Sequence, residues 1–374
     1  MGPKPDRAPV PLGDAPRIAL VKLGALGDLI YAFPLVSALK AARPTARLTW
    51  IVEERFRDVP RLHPAVDQVM TVDTRRWRRQ LLSGSWAAVW GELVEFRRQV
   101  RGCFDIALDA QGLVKSAAAA WLTKAPVRIG FAPGDCRESA SAWGMTHHAA
   151  PAGAVHIVQK NMGLLAVLGL PTHEIRFQVA TQPADDWWVH DLWALHRIGP
   201  RDRVVVLHPG VGHPVKRWEF PRFMDVAERL ASWPDLRIVW TAGPEERGLL
   251  DGVVDRLPRS FVVTPPGIGT LAALLRRCSL VIAGDTGPLH LAAALGRPTV
   301  ALYGPSDPLR AGPAGSGHQI LKHPCPCGWT PGPFFNRNCA DPPCMKAIEV
   351  EEVLAAVERV LGAPARCSPS AVSR

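Results

Sequence analysis

The feature that most constrains the fold of this chain is a rhythm of short apolar runs separated by longer stretches with helical periodicity. In the first half the apolar runs are Ile18–Leu23, Leu48–Val52, Gln68–Val72, Ile106–Asp109 and Val127–Phe131, and the helical stretches are Leu29–Ala42, Trp86–Arg101, Leu113–Leu122 and His156–Leu168. In the second half the apolar runs are Val204–His208, Arg237–Thr241, Phe261–Val263, Leu280–Ala283 and Thr299–Tyr303, with helical stretches near Pro221–Leu230, Glu245–Arg256, Leu271–Arg277 and Leu289–Leu295. Short β-branched strands that alternate with helices indicate parallel, doubly wound sheets. The sequence therefore predicts an α/β protein with two Rossmann-like domains.

A chain of 374 residues is long enough for two domains of ordinary size. We predict a disordered leader over residues 1–16, a first domain over 17–180, a second over 181–348 with a Cys-rich loop at 304–345, a C-terminal helix over 349–362 and a disordered tail over 363–374. The connection is expected within 181–202, with a helix near 185–196. Ligands of such sheets lie beyond the carboxyl ends of the strands. Two domains that face each other would place their ligands in the cleft between them.

The composition, 47% apolar and 21% charged, is that of a soluble globular protein. We find neither an uncharged apolar run of about 18 residues, which a membrane span requires, nor the apolar core of a secretory signal. We therefore expect a cytoplasmic protein. The formal charge of +10 favours a phosphate-bearing partner, whether nucleic acid, lipid or nucleotide.

The segment Arg17–Asp28, RIALVKLGALGD, is an apolar run that breaks into a Gly-rich turn before the next helix. Gly24 and Gly27 permit a tight turn and close approach of a ligand to the backbone. Asp28 falls at or near the helix start, where a carboxylate either caps the free N–H groups or acts as a catalytic base. The spacing of the glycines does not match the dinucleotide-binding fingerprint.

Two Gly-rich turns follow strands of the second half. GDTGPLHLAAALG, Gly284–Gly296, places Thr286 and the following N–H groups at a helix N-terminus suited to a diphosphate. Asp285 would then need a nearby lysine or a ribose hydroxyl beside it. HPGVGHPVKRW, His208–Trp218, carries Lys216, which can reach phosphate oxygens as a mobile charge. The alternatives are an ordinary cap with a buried histidine for the first turn and a solvated basic loop for the second.

The densest cationic segment is RRWRR, Arg75–Arg79. Such an array can hold phosphate groups in a bidentate manner. A basic cluster around Trp77 is also compatible with an anionic membrane surface or with nucleic acid. No nucleic-acid-binding motif accompanies the cluster, so a nucleic-acid partner is not expected.

Four of the eight cysteines lie within twenty residues: Cys325, Cys327, Cys339 and Cys344. Four thiols can bind zinc, but this spacing is not that of a zinc ribbon. Reduced thiols in an irregular loop are the default expectation, and a structural metal is the alternative.

Taken together and in order, these motifs resemble those of the ADP-heptose:lipopolysaccharide heptosyltransferases, glycosyltransferase family 9. The likeness runs from about Arg17 to Leu361, through VKLGALGDLIYAFP, DAQGLVKSA, HPGVGHPVKRW, GDTGPLHLAAALGRPTVALYGPSDP and CMKAI. WIVEERF, LHPAVDQV and TRRWRR look like the acceptor-side segments of the heptosyltransferase I branch. The resemblance implies the GT-B fold, in which two Rossmann-like domains face each other across a cleft.

The resemblance also implies a reaction and a set of site residues. The family transfers heptose, with inversion, from ADP-heptose to a hydroxyl of the first Kdo sugar of lipid A, and Asp28 matches its general base. Donor-binding matches are Lys216, Glu246, Asp285, Thr286, Gly287 and His290; Glu246 is preferred to Glu245 for the ribose contact. Cations expected to hold acceptor carboxylates and phosphates are Lys22, Arg75, Arg76, Arg79 and Arg137.

By the same resemblance no cofactor or metal is required, since ADP-heptose is itself the donor substrate. The expected acceptor is an anionic glycolipid, reached by peripheral attachment at the cytoplasmic face of the inner membrane. The turn HPGVG lacks the hydroxyl residues that usually contact phosphate, and the Cys-rich insert is closer to heptosyltransferase II. Heptosyltransferase II, or another family 9 enzyme with a different glycan acceptor, therefore stays an alternative. A non-catalytic nucleotide-binding GT-B protein is the alternative from another class.

Overall fold

The computed structural model describes residues 9–151, 153–257, 259–325, 339 and 341–362. The chain divides into two compact units, Met1–Ala180 and Thr181–Arg374. Each unit contains one six-stranded parallel sheet with helices in the connections.

The sheet of the first unit has the strand order β3-β2-β1-β4-β5-β6. Its strands are β1 Arg17–Val21, β2 Arg47–Glu53, β3 Gln68–Val72, β4 Ile106–Asp109, β5 Val127–Phe131 and β6 His147–Ala149. The helices are α1 Leu26–Ile30, α2 Phe33–Ala42, α3 Thr74–Leu82, α4 Trp86–Val100, α5 Val114–Leu122 and α6 Ile157–Met162. The central strand β1 pairs in parallel with β2 and β4. Because its side chains are buried on both faces, the strand is a continuous apolar run rather than an alternating one.

The sheet of the second unit repeats this plan in the order β12-β11-β10-β7-β8-β9. Its strands are β7 Arg203–His208, β8 Leu236–Thr241, β9 Ser260–Val263, β10 Leu280–Gly284, β11 Thr299–Tyr303 and β12 Gln319–Lys322. The helices are α7 Pro183–Leu195, α8 Phe220–Ala231, α9 Val253–Arg256, α10 Ile268–Arg276, α11 Gly287–Ala294, α12 Pro308–Ala311, α13 Pro343–Lys346 and α14 Val350–Leu361. The predicted α/β class, with one doubly wound parallel sheet in each half, is confirmed.

Each unit has its own hydrophobic core. In the first, Val21, Ile51 and Ala107 of the sheet pack with Phe96 of α4. In the second, Trp218 and Trp240 pack with a larger set that includes Val353 of α14. The predicted C-terminal helix is therefore an integral part of the second core.

Several helices begin, end or break at residues other than those predicted. The stretch predicted as one helix from Leu29 to Ala42 is two helices, α1 and α2, because Pro34 near the start of α2 lacks the N–H that a continuous helix needs. The stretch Glu245–Arg256 is likewise divided, into a 3-10 helix at Pro244–Leu250 and α9, with Gly252 at φ +73° between them. The first of these breaks leaves Asp28 inside the short helix α1.

The two ends of the chain differ in how far the structure describes them. Val10 lies within the predicted disordered leader, yet it is buried and its N–H donates to the carbonyl of Val167 at 2.9 Å. The leader from residue 9 onward therefore packs against the first unit. Residues 1–8 and the predicted tail 363–374 lie outside the described part of the chain.

Candidate active site

Asp28 lies in the first turn of α1, just after the Gly-rich turn that leaves β1. Ala25 takes the N-cap position, and Oδ2 of Asp28 accepts a hydrogen bond from the Ala25 N–H at 3.3 Å. The side chain is half-buried. The capping interpretation is therefore correct for one carboxylate oxygen. It does not exclude a catalytic role, because a carboxylate has a second oxygen that can accept a proton.

Lys22, expected to clamp the acceptor, is only 2% exposed. Its Nζ donates to the carbonyl of Ala110 at 2.5 Å. Burial lowers the pKa of Lys22, and the nearby carboxylates of Asp28 and Asp109 act in the opposite direction. Lys22 is therefore a fixed group that shares an electrostatic environment with Asp28, rather than a mobile surface cation.

The segment DAQG, residues 109–112 at the end of β4, supports Lys22 and the start of the Gly-rich turn that leaves β1. The carboxylate of Asp109 is buried and accepts from the N–H groups of Gln111 and Gly112, at 2.9 and 3.2 Å, and from the hydroxyl of Ser116 at 3.0 Å. Oε1 of Gln111 accepts from the N–H of Leu23 at 3.1 Å. Burial raises the pKa of Asp109, and these hydrogen bonds oppose the rise. This network was not predicted, although DAQG belongs to one of the recognised motifs.

Arg137 joins the same region. Its backbone N–H donates to the carbonyl of Gly112 at 3.1 Å, and its charge lowers the pKa of Lys22. Lys160 exerts a similar influence on Lys22 and was not predicted. The structure therefore brings Lys22, Asp28 and Arg137 together, with the DAQG turn as their support.

The three predicted arginines of α3 are all exposed, but their surroundings differ. Arg76 forms an ion pair with Glu92 of α4 at 3.0 Å. Within the described residues, Arg75 and Arg79 form no ion pair, and none of the three is bonded to Lys22 or Asp28. Trp77 packs against the core and donates to Glu92 at 2.7 Å. The part of the cluster most accessible to a ligand is Arg75 with Arg79.

Glu53 positions the start of α3. It is buried at the end of β2, and its carboxylate accepts from the N–H of Thr74 at 3.2 Å and from the Thr74 hydroxyl. Lys115 of α5 donates to the same carboxylate at 3.2 Å. Glu53 therefore couples the helix that carries the arginines to the sheet, a role that no local pattern suggests.

In the second unit, Asp285 lies between a lysine and a histidine beyond the end of β10. Nζ of Lys216 is 2.5 Å from its Oδ2, and Nε2 of His290 is 3.0 Å from its Oδ1. Burial alone would raise the pKa of Asp285, but the hydrogen bond with His290 and the charge of Lys216 together hold it well below its usual range. Lys216 is thus the lysine that the sequence required beside Asp285.

Thr286 is the N-cap of α11, and Gly287 is the first residue of that helix. The hydroxyl of Thr286 is buried and has no hydrogen-bond partner among the described residues, as is also true of Ser306. Free N–H groups at a helix start, next to a lysine, are suited to bind phosphate oxygens. The turn therefore combines the elements of an anion site, with Asp285 setting the position of Lys216.

Glu246 reaches the turn that follows β7. Its Oε1 accepts from the N–H of Val211 at 2.7 Å, and its Oε2 accepts from the N–H of Gly243 at 3.4 Å. A Cβ at Gly210 would collide with this carboxylate, so a larger residue there would displace the Glu246 side chain from this position. The preference for Glu246 stays a prediction as regards ribose, but the side chain also joins the two strand-end turns.

The cysteine cluster is described only in part, because Cys327 lies outside the described residues. Cys344 is buried beside Cys325, and burial together with that neighbouring thiol raises the pKa of Cys344 to about 11. In the part of the chain that the structure describes, no three metal-ligating side chains converge. The structural metal therefore stays an untested alternative.

The fold of this chain is similar to those of solved heptosyltransferase structures. The fold matches Escherichia coli heptosyltransferase WaaC with ADP, with a TM-score of 0.74 and 24% identity over 92% of this chain and 99% of that one. It also matches E. coli ADP-heptose lps heptosyltransferase II, with a TM-score of 0.70 and 17% identity over 92% and 98%. The chain thus has the GT-B fold of glycosyltransferases, as predicted.

The sequence comparisons define the family. The profile of glycosyltransferase family 9 (heptosyltransferase) matches residues 93–330. Lipopolysaccharide heptosyltransferase 1 of Pseudomonas aeruginosa is 30% identical over 336 residues, which cover 87% of this chain and 88% of that protein. The E. coli K12 protein of the same name is 30% identical over 82% of this chain and 94% of its own length. The chain belongs to glycosyltransferase family 9, and the predicted enzyme class is confirmed.

Proposed function

We propose that the protein transfers L-glycero-D-manno-heptose from ADP-heptose to a hydroxyl of the first Kdo of lipid A, in synthesis of the lipopolysaccharide inner core. The observation that carries the proposal is the Lys216–Asp285–His290 cluster at the start of α11, in a chain whose relatives are named lipopolysaccharide heptosyltransferase 1. These relatives support the choice of acceptor.

The donor part of the reaction requires stabilisation of a departing diphosphate. When the bond from C1 of heptose to the phosphate oxygen breaks, negative charge develops on ADP. Lys216 and the N–H groups that begin α11 supply positive charge fixed in advance, which is the efficient way to stabilise charge in a transition state. Asp285 holds the lysine, His290 is bonded to the other oxygen of Asp285, and Thr286 offers a buried hydroxyl. Glu246 is assigned to a ribose hydroxyl.

The acceptor part requires removal of one proton. Asp28 takes the proton from the acceptor hydroxyl as that oxygen bonds to C1, and direct displacement inverts the configuration at C1. The charges of Lys22 and Arg137 are assigned to the carboxylate of Kdo. The arginines of α3, chiefly Arg75 and Arg79, are assigned to lipid A phosphates.

We assign no cofactor or metal to this reaction, because Lys216 and the helix N-terminus supply the charge that a metal would otherwise provide. A Kdo-lipid A acceptor is embedded in a bilayer, so we also propose that the enzyme works peripherally at the cytoplasmic face of the inner membrane. In the described ranges, no helix is both long and apolar enough to cross a membrane.

A donor comparison tests the proposed function. The purified protein is incubated with Kdo-lipid A and, in separate reactions, with ADP-heptose, UDP-glucose or GDP-mannose, and release of the nucleoside diphosphate is measured. We expect release from ADP-heptose at least about 100-fold faster than from the other two, because a polar site rejects a donor that leaves its groups unpaired. Faster release from UDP-glucose or GDP-mannose would contradict the donor assignment. Binding of ADP-heptose without release would favour the non-catalytic alternative.

A further inference from the structure

The hairpin of α3 and α4 exposes apolar side chains that the proposed chemistry does not use. Trp86 and Trp90 of α4 are 67% and 71% exposed, and Leu82, at the turn between the two helices, is 79% exposed. Two largely exposed tryptophans on one helix are unusual for a surface that meets only water. These residues differ from Trp77, which the sequence singled out but which is packed against the core.

The spacing along α4 places these side chains in one stripe. Trp86, Trp90 and Val94 are separated by four residues each, and Arg97 follows at an interval of three, so these four share one face of α4. Arg101, the C-cap residue, follows at the end of this face. All five are exposed, whereas Val89, Phe96 and Val100 form a separate buried face. We call Trp86, Trp90, Val94, Arg97 and Arg101 the Trp/Arg stripe.

The basic end of the Trp/Arg stripe is extended by the end of α5. The N–H of Gly102, next to Arg101, donates to the carbonyl of Thr123 at 3.0 Å. Lys124 follows at once, and its Nζ lies 3.3 Å from the centre of the half-exposed Trp121 ring. In the described part of the chain, Arg97, Arg101 and Lys124 form no ion pair.

The acidic residues of α4 do not neutralise this end. Glu92 is paired with Arg76 at 3.0 Å, and Glu95 is paired with Arg98 at 2.9 Å. An exposed stripe with two tryptophans at one end and basic side chains at the other combines apolar burial with electrostatic attraction, the two contributions that bind a surface to an anionic bilayer. Tryptophan favours the headgroup level of a membrane, and arginine is attracted to anionic lipid.

We propose that the Trp/Arg stripe, together with Lys124, docks the enzyme on an anionic phospholipid surface, with Trp86 and Trp90 inserted at headgroup depth. This site is separate from the residues assigned to the acceptor. It rests on the peripheral attachment proposed above and adds to it by naming the surface that meets the lipid. Charge complementarity and the position of the tryptophans argue for a lipid surface as the occupant.

The test measures binding to vesicles without donor or acceptor, so that its outcome does not depend on turnover. The full chain is mixed with vesicles of phosphatidylcholine alone or with about 30% phosphatidylglycerol, and bound protein is separated by flotation. We expect binding to the anionic vesicles only.

Replacement of both tryptophans, W86S/W90S, should reduce the partition coefficient by about tenfold or more. Loss of each basic residue should reduce the partition coefficient about fivefold. The double replacement of Arg97→Gln with Arg101→Gln should therefore reduce it about 25-fold.

Matched controls exist in the second unit. Trp187 of α7 is 66% exposed, close to the value for Trp86, and Trp187→Ser should leave vesicle binding unchanged. Arg229→Gln with Arg256→Gln removes the same charge from side chains that are 62% and 63% exposed, and should reduce binding less than twofold. Circular dichroism confirms that each variant is folded.

Three outcomes would overturn the proposal. One is equal loss of binding in the stripe variants and their controls, which would indicate attraction by net charge alone. Another is full binding by the folded W86S/W90S protein. The third is binding to duplex DNA, at the same salt, that is tighter than binding to the anionic vesicles and is lost in the stripe variants, which would assign the surface to nucleic acid.

Discussion

Asp28→Asn is expected to lower kcat by about three orders of magnitude, within the range that general base catalysis contributes, while the affinity for ADP-heptose is unchanged. The asparagine keeps the size of the side chain and a carbonyl oxygen that can accept from the Ala25 N–H. It cannot take the proton of the acceptor hydroxyl. Steady-state kinetics with Kdo-lipid A, together with a separate measurement of donor binding, check both parts of the prediction.

The control for this variant is Asp58→Asn. Asp58 is an exposed residue of the same unit, paired with Arg61 at 2.7 Å, and its loss should not change kcat. The thermal unfolding midpoints of Asp28→Asn and the wild-type protein should agree within a few degrees, because the cap is retained. A kcat within about tenfold of the wild-type value would remove Asp28 as the base and leave it with the capping role alone.

Lys216→Met is expected to affect both activity and stability. It removes the charge assigned to the departing diphosphate, and such a loss costs about 100- to 1,000-fold in kcat. It also leaves Asp285, which is almost fully buried, with His290 as its remaining partner. Breaking a buried ion pair by removal of one member costs roughly 3–5 kcal/mol in the free energy of unfolding. Kinetics and denaturant unfolding measure the two effects separately.

The double variant K216M/D285N separates the two roles of Lys216. It should recover most of the lost stability, because no charge is left buried alone, but it should not recover activity. Lys346→Met is the matched control, since Lys346 pairs with Asp341 on the surface of the same unit at 2.6 Å. Recovery of activity in the double variant, or kcat within threefold of wild type in Lys216→Met, would contradict the assignment of this lysine to the diphosphate.

Because His290 and Lys216 lower the pKa of Asp285, we expect the stability of the fold to depend on pH. Because the folded-state pKa of Asp285 lies below its unfolded value, its ionised form stabilises the fold at neutral pH. This contribution is complete above the ordinary carboxyl range and declines as the pH falls through that range towards the lowered pKa. The stability difference between wild type and Lys216→Met, in which Asp285 has lost the charge of the lysine, should therefore decrease below about pH 4.

The fold was largely predictable because the central strands of both sheets are short apolar runs with both faces buried. Two of the four edge strands, β6 and β12, were missed for the converse reason. His147–Ala149 and Gln319–Lys322 are short edge strands with only partial burial, and they carry no continuous apolar signal. The α3 helix was missed because its sequence, TRRWRRQLL, has few apolar positions, and Glu53 holds its start from another element.

The position of a candidate site residue was predictable where a local motif determines it, as with Asp28 after its Gly-rich turn and Thr286 at a helix start. It was not predictable where contacts join distant parts of the chain. The ammonium of Lys22 is bonded to a carbonyl 88 positions away, and Lys216 is bonded to Asp285 across 69 positions. Because local periodicity contains no information on such pairs, the burial of Lys22 and the support from Asp109 had to come from the structure.

The central claim is that this protein adds heptose to Kdo-lipid A. Its most direct test is the mass of the glycolipid after incubation with ADP-heptose, with Kdo-lipid A and the already heptosylated acceptor supplied in separate reactions. We expect the mass of Kdo-lipid A to rise by one heptose residue and the heptosylated acceptor to remain unchanged. A product from the heptosylated acceptor alone would contradict the claim and indicate the heptosyltransferase II reaction.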